Sequence, residues 1–245
     1  MRLFCSARGD APSGVCLRAF VAHFALPVEI DLINDEAKRK RIAAQFSIDC
    51  FPALLIDDER VVTAAAPSTP AQLRVCFECP AILRFLCRSF SLHHVYPTAT
   101  LPCALLEQVI GCIHARVFPA TQTFLLAESS LGTFCDSSVG TAANARISME
   151  RVDARAALLG VLRAIEREPW TQRLGIPVHD LSRDLFNQMW VPRVLLGACL
   201  HVVDSPSFPL RAHLGGGGIG PPSPLVAFLA SFRAWMQRYR IAFTM

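Results

Sequence analysis

The sequence predicts an α/β half followed by an all-helical half, and two observations lead to this fold class. Short apolar runs alternate with segments of helical periodicity up to about residue 92, in the order β-α-β-α-β-β-α. After residue 100 the apolar residues recur only at helical spacing. The change falls in the stretch 92–100, so we expect an α/β domain over residues 1–92 and an all-helical domain over residues 100–245.

The first elements follow from local patterns. The run Arg2–Ser6 is apolar and ends in a turn rich in glycine and proline, while Val15–Leu26 has apolar residues at helical spacing and stops at Pro27. Val28–Ile33 alternates apolar and acidic residues, which is typical of a half-buried strand. The polar segment Asp35–Phe46 is predicted as a helix.

Two further strands and a helix complete this half. Phe51–Ile56 is a compact apolar run closed by an acidic turn, and Leu73–Phe77 is a second candidate strand. Between them, Ala64–Pro70 is small and interrupted by proline, which predicts a loop. Pro80–Phe90 is predicted as a helix, because a proline in the first turn forfeits no helical hydrogen bond.

The second half is predicted as helices joined by loops of small residues. The two longest uncharged stretches both contain residues that break helices. Ser89–Leu106 contains prolines, and Ala212–Phe232 contains glycines and prolines. We therefore expect no membrane-spanning helix. The predicted helices are Leu101–Phe118, Ile147–Glu168, Asp184–Val203 and Leu225–Ile241.

Composition and charge exclude several classes of protein. With 52% hydrophobic and 18% charged residues, the chain buries too much apolar surface to be disordered. The net charge is +4, but lysine and arginine are scattered, which argues against nucleic-acid binding. The one dense cluster, Lys38–Arg41, has acidic residues nearby and is interpreted as a solvated helix face.

Ten cysteines raise the questions of disulfides and metal. Most lie in apolar runs, where a thiol behaves as a small buried hydrophobe, and no secretory signal precedes them, so we expect a reduced, cytoplasmic protein. Cys76 and Cys79 form a CxxC pair without a second pair at metal spacing, so no metal site is expected.

Three segments, in order, resemble the glutathione transferase superfamily. They are Ala25-Leu26-Pro27-Val28-Glu29, Phe51-Pro52-Ala53-Leu54-Leu55-Ile56-Asp57-Asp58 and Phe77-Glu78-Cys79-Pro80-Ala81-Ile82-Leu83-Arg84-Phe85-Leu86. The resemblance implies a thioredoxin-like N-terminal domain, an all-helical C-terminal domain and glutathione as cosubstrate. It covers about the first 90 residues by motif and the rest by general character.

The resemblance implies a glutathione-binding role for four residues. Pro52 is expected to follow a cis peptide bond, so that Phe51 offers its backbone N–H and C=O to an extended peptide. Glu78 and Cys79 are expected at a solvent-facing turn that enters a helix, where the γ-glutamyl end of glutathione would bind. In the family a serine stands where this chain has Cys79. If the corresponding family motif is instead aligned with Thr63–Ala66, alanines stand at both polar positions that bind glutathione.

The catalytic position has three candidates. Family enzymes place a hydroxyl or thiol after the first strand, where it favours the thiolate of glutathione. This region holds Ser13, Ser6 and Cys5 and no tyrosine, and we rank the candidates in that order. Ser13 is expected to cap the first helix, whereas Cys5 is expected to point into the sheet.

Two functions remain open at this point. The first is a glutathione transferase that conjugates or reduces small electrophiles, as a homodimer or with a heteromeric partner of the same fold. The second is a non-catalytic adaptor for complex assembly, similar to the translation elongation-factor gamma subunit or to synthetase-associated proteins of this fold. The missing tyrosine and Cys79 favour the second, whereas Glu78 and Pro52 favour the first.

Overall fold

The computed structural model describes residues 1–6, 12–48, 50–56, 74–133, 141–167, 174, 189–214 and 223–238. Within these residues a small mixed sheet precedes a larger set of helices, which confirms the predicted fold class. The elements are β1 (Arg2–Ser6), α1 (Pro12–His23), β2 (Glu29–Ile33), α2 (Glu36–Phe46), β3 (Ala53–Ile56), β4 (Arg74–Phe77), α3 (Cys79–Ser89), α4 (Thr100–Cys112), a π-helical turn (Ile113–Val117), α5 (Phe118–Thr133), α6 (Thr141–Arg167), α7 (Trp190–Val203), α8 (Leu210–Leu214) and α9 (Pro224–Arg238).

The four described strands form one sheet in the order β2-β1-β3-β4. β1 runs parallel to β2, with Ser6 opposite Ile33, and antiparallel to β3, with Phe4 opposite Ala53. The parallel pair needs the crossover that α1 supplies, whereas β3 and β4 pair antiparallel. The segments Val28–Ile33 and Phe51–Ile56, both predicted as strands, thus contribute β2 and β3 to one sheet.

Alternation along β1 separates two cores. Leu3 and Cys5 face the main core, on the side covered by α1 and α3, whereas Phe4 faces a smaller core with Ile42 of α2. Because successive strand residues point to opposite faces, a five-residue strand can serve both layers. Helices therefore cover both faces of this sheet.

The main core continues without a break into the helical half. Phe20 and Phe24, on and just after α1, pack against Trp190 of α7, with ring centroids 5.8 and 5.2 Å away. Trp235 of α9 completes the contact with an edge-on approach to Trp190 at 5.8 Å. Both halves thus share one apolar core, and the domain division at residues 92–100 stays a prediction.

The helix predicted to end at Phe118 instead continues to Thr133. A π-helical turn, Ile113–Val117, interrupts it just before Pro119. Proline has no N–H and its ring crowds the preceding turn, and the wider π turn accommodates both features. The helix predicted from Ile147 begins earlier, because α6 starts at Thr141.

In the described part of the chain, one continuous helical stretch is long and apolar enough by length and composition to cross a membrane. It is Thr100–Ser129, which comprises α4, the π-helical turn and most of α5. One third of its most apolar window is buried within the protein, and the core helices of soluble proteins pass the same test. The absence of a membrane span stays a prediction.

Candidate functional site

A cavity of about 440 Å³ opens at the carboxyl ends of the parallel strands β1 and β2. Both strands end at this edge because β1 and β2 run in the same direction, and α2 begins beside them. Ligands of α/β sheets commonly bind at this edge. The described residues that line it are Ser6, Ile33, Asn34, Asp35, Glu36, Arg39 and Phe51.

The Phe51–Pro52 peptide bond is cis, as predicted from the resemblance. Pro52 is buried directly before β3, and Phe51 is half-buried in the wall of the cavity. Ser6, one of the three catalytic candidates, lies in the same wall. The structure therefore brings together Phe51 and Ser6, which are distant in the sequence.

Arg39 is a cavity residue that the sequence does not single out, because the cluster Lys38–Arg41 has the pattern of a solvated helix face. Its guanidinium lies 5.7 Å from the centroid of the Phe51 ring, and its Nη1 is 3.7 Å from Glu36 Oε2. Asp35 caps α2 by accepting a hydrogen bond of 2.6 Å from the Lys38 amide. The cap fixes the start of α2, and so places Arg39 one turn further on, at the cavity.

Glu78 precedes α3, at the turn predicted for it. Its φ of 67° lies in the left-handed region, and its side chain is 65% exposed. Among the described residues it makes no side-chain capping hydrogen bond. The first-turn amides of Cys79 and Ala81 precede the helical hydrogen-bond ladder, so the N-terminus of α3 offers donors and a partial positive charge.

Cys79 is buried, which corrects the expectation of a solvent-facing turn for this residue. Its Sγ points inward and donates to the carbonyl of Ser13 at 3.8 Å. Burial, followed by a hydrogen bond with the Cys16 thiol, raises the pKa of Cys79 well above its usual value. The side chain at the position of the family serine thus faces the core.

Burial also governs Cys5, which lies on β1 and is fully enclosed. Its burial raises the pKa of the thiol to about 12, with a smaller opposing effect from Arg18. A thiol of this kind is neutral near pH 7 and is a poor nucleophile. The expectation that Cys5 points into the sheet agrees with this position.

Ser13 is the second residue of α1, not its N-cap, because the helix begins at Pro12. Proline suits this first position, where an N–H would have no helical partner. The Ser13 side chain is half-buried, and its carbonyl contacts Cys79. The structure therefore groups Ser13 with the start of α3, whereas Ser6 lies with Phe51.

His114, in the π-helical turn, is a second residue that the sequence did not indicate. Its Nε2 lies 3.4 Å from Glu78 Oε2, across the boundary between the two halves. The ring also packs against Phe118, with centroids 5.2 Å apart. A charged side chain at the start of α3 is thus in contact with the helical half.

The absence of a metal site stays a prediction for the described parts of the chain. No group of three or more histidine, cysteine, aspartate or glutamate side chains there could hold a metal ion. Cys76 and Cys79 are separate free thiols, one half-buried at the end of β4 and the other buried in α3.

Comparison with known proteins identifies the fold. No protein-family model and no curated protein matches this sequence. Solved structures match along nearly the whole chain, at low identity. A glutathione transferase family member from Pseudomonas fluorescens, with two glutathione molecules bound, has 13% identity and a TM-score of 0.63, over 97% of this chain and 91% of that one.

Two further solved structures match the same fold. A glutathione S-transferase from Methylobacillus flagellatus with glutathione bound has 15% identity and a TM-score of 0.57, over 96% of this chain and 98% of that one. Ure2p in complex with glutathione has 13% identity and a TM-score of 0.61, over 98% of this chain and 92% of that one. The protein has the glutathione transferase fold, which confirms at the level of the fold the resemblance predicted from three short motifs.

Proposed function

We propose that this protein binds glutathione and uses it to conjugate or reduce small electrophiles. The observation that carries the proposal is the shared cavity wall of Phe51, which precedes a cis proline, and Ser6. The matching structures with bound glutathione have the same fold, which supports this choice of ligand.

The described residues suit the three parts of glutathione. The cysteinyl backbone would pair with the N–H and C=O of Phe51, as one strand pairs with another. The γ-glutamyl carboxylate would accept hydrogen bonds from the first-turn amides of α3, and its ammonium group would face Glu78. Arg39, at the cavity, would bind the glycyl carboxylate.

The chemistry would depend on the glutathione thiolate. A hydroxyl of Ser13 or Ser6 would donate a hydrogen bond to the sulfur and lower the pKa of the thiol, which releases its proton to water. The thiolate then forms a carbon–sulfur bond with the electrophile while the leaving group departs with its electron pair. Cys5 fits this role least, because its thiol is buried and neutral.

A non-catalytic adaptor is the second candidate, and Cys79 is the observation that favours it. Its thiol faces the core, so the γ-glutamyl carboxylate would have backbone donors without a side-chain hydroxyl. A site with fewer donors binds more weakly, and a protein used only for assembly would tolerate that loss. The adaptor would assemble through a second copy or a heteromeric partner of the same fold.

Calorimetric titration with glutathione separates the two candidates. Binding by the parent, weakened by Arg39→Ala but not by the exposed control Lys40→Ala, supports the proposal. An assay with chlorodinitrobenzene then tests catalysis, and loss of activity in Ser13→Ala or Ser6→Ala identifies the hydroxyl. If the parent gives no heat of binding at millimolar glutathione, the adaptor is the remaining candidate function.

A further inference from the structure

The contact between His114 and Glu78 joins the proposed glutathione site to the helical half. The two residues are 36 positions apart in the sequence, and their nearest atoms, Nε2 and Oε2, are 3.4 Å apart. We infer that His114 positions the Glu78 carboxylate for the ammonium group of glutathione. This inference rests on the proposed function.

The imidazole of His114 is itself held in place. Its neighbours in the π-helical turn, Ile113 and Val117, are fully buried and anchor the backbone on both sides. The ring of Phe118 lies against the imidazole at 5.2 Å with an interplanar angle of 33°. π turns displace side chains from the regular helical register, and they recur at functional sites. The half-exposed imidazole therefore lies with its Nε2 beside the residue that precedes α3.

Glu78 can gain order from this contact because its side chain is largely solvent-exposed. Its side chain is 65% exposed, and its φ of 67° occurs at the turn into α3. A free glutamate side chain loses rotamer freedom when it binds a ligand, and that loss reduces the affinity. The contact with His114, 3.4 Å from Oε2, would restrict the carboxylate before glutathione arrives.

The contact leaves room for the ligand. A carboxylate has two oxygens and several lone pairs, and His114 approaches Oε2. Oε1 can therefore accept a hydrogen bond from an ammonium group at the same time. His114 acts through Glu78 in this scheme, as a positioning residue, and it would touch neither the sulfur nor the electrophile.

Titration with two ligands tests this role. One ligand is glutathione, and the other is glutaryl-cysteinyl-glycine, which lacks only the ammonium group. We expect His114→Ala to weaken the binding of glutathione about fivefold, as for one ordinary hydrogen bond. The same variant should leave the affinity for the glutaryl analogue unchanged, because that ligand makes no use of Glu78. His114→Gln, which retains an N–H donor, should recover most of the glutathione affinity.

Controls make the result decisive. His93→Ala removes an exposed histidine outside the helices and should change neither affinity. Alanine favours the helix at position 114, and unchanged far-ultraviolet circular dichroism would verify the fold. The inference is overturned if His114→Ala leaves glutathione binding unchanged or tighter, weakens both ligands equally, or is not rescued by His114→Gln. A parent that binds no glutathione overturns the proposed function, and this inference with it.

Discussion

The indole Nε1 of Trp235 donates a hydrogen bond of 3.2 Å to Nδ1 of His23, which ties α9 to the end of α1. The imidazole must be neutral to accept this bond. It also packs among aromatic rings, with the centroid of Trp190 at 5.1 Å and that of Phe24 at 4.7 Å. The contact between the two halves thus contains a titratable group in its uncharged form.

Protonation of buried histidines predicts a loss of stability in acid. Burial lowers the pKa of His23 from 6.5 to about 4. Burial, followed by the charge of Arg233, lowers the pKa of His201 from 6.5 to about 4. At a pH between the unfolded pKa of 6.5 and the folded pKa of about 4, the unfolded chain binds more protons than the folded one. The free energy of unfolding therefore falls as the pH falls from about 6.5 to 4.

Urea unfolding at a series of pH values measures this effect. We expect the free energy of unfolding of His23→Asn to depend less steeply on pH below about pH 6.5, because the variant lacks one of these two neutral histidines. The exposed control His93→Asn should retain the slope of the parent. Equal slopes for the parent and His23→Asn would contradict the prediction.

A pair of glycines gives a matched test of packing. A Cβ on Gly197 of α7 would lie 2.3 Å from Cδ2 of the buried Phe232, so Gly197→Ala requires the ring to move. We expect a loss of about 1–3 kcal/mol in the free energy of unfolding. Gly160→Ala in α6, where no described atom lies within 4 Å of the new Cβ, should instead gain up to about 1 kcal/mol. Thermal unfolding of both variants checks the opposite signs.

Asp204 connects three parts of the helical half. Its Oδ1 accepts a hydrogen bond of 2.7 Å from the Leu210 amide at the start of α8, and its Oδ2 accepts one of 2.5 Å from Arg233 Nη1 in α9. The side chain of Asp204 is only 15% exposed, so Asp204→Ala leaves both donors without this acceptor. We expect a loss of about 2–4 kcal/mol in denaturant unfolding. Asp153→Ala, at an exposed position of α6, should be nearly neutral.

Cys79→Ser tests the inward orientation of this side chain. A hydroxyl in place of the buried thiol needs a stronger hydrogen bond than the 3.8 Å contact with the Ser13 carbonyl supplies. We expect a loss of about 1–2 kcal/mol in stability, whereas Cys50→Ser, at an exposed site, should change it little. The serine would improve glutathione affinity only if its hydroxyl turned outward. An unchanged melting temperature would indicate that the side chain does face solvent.

The sequence by itself determined the strands, the helices around them and the cis proline of the first half. Val28–Ile33 and Phe51–Ile56 have local patterns that specify strands, and the Phe51-Pro52 motif carried the cis bond through the resemblance. Such features depend on neighbours in the chain, so a single sequence records them. The same motifs placed Glu78 at the turn before α3.

Only the tertiary structure decided which side chains surround the candidate site. The register of β1 on β2 and the cap of α2 bring Arg39 beside Phe51, and the path of the helix beyond α4 brings His114 to Glu78. The inward orientation of Cys79 depends on α1, which lies more than 60 residues earlier. Contacts at such separations arise from the packing of whole elements, and local residue patterns do not encode them.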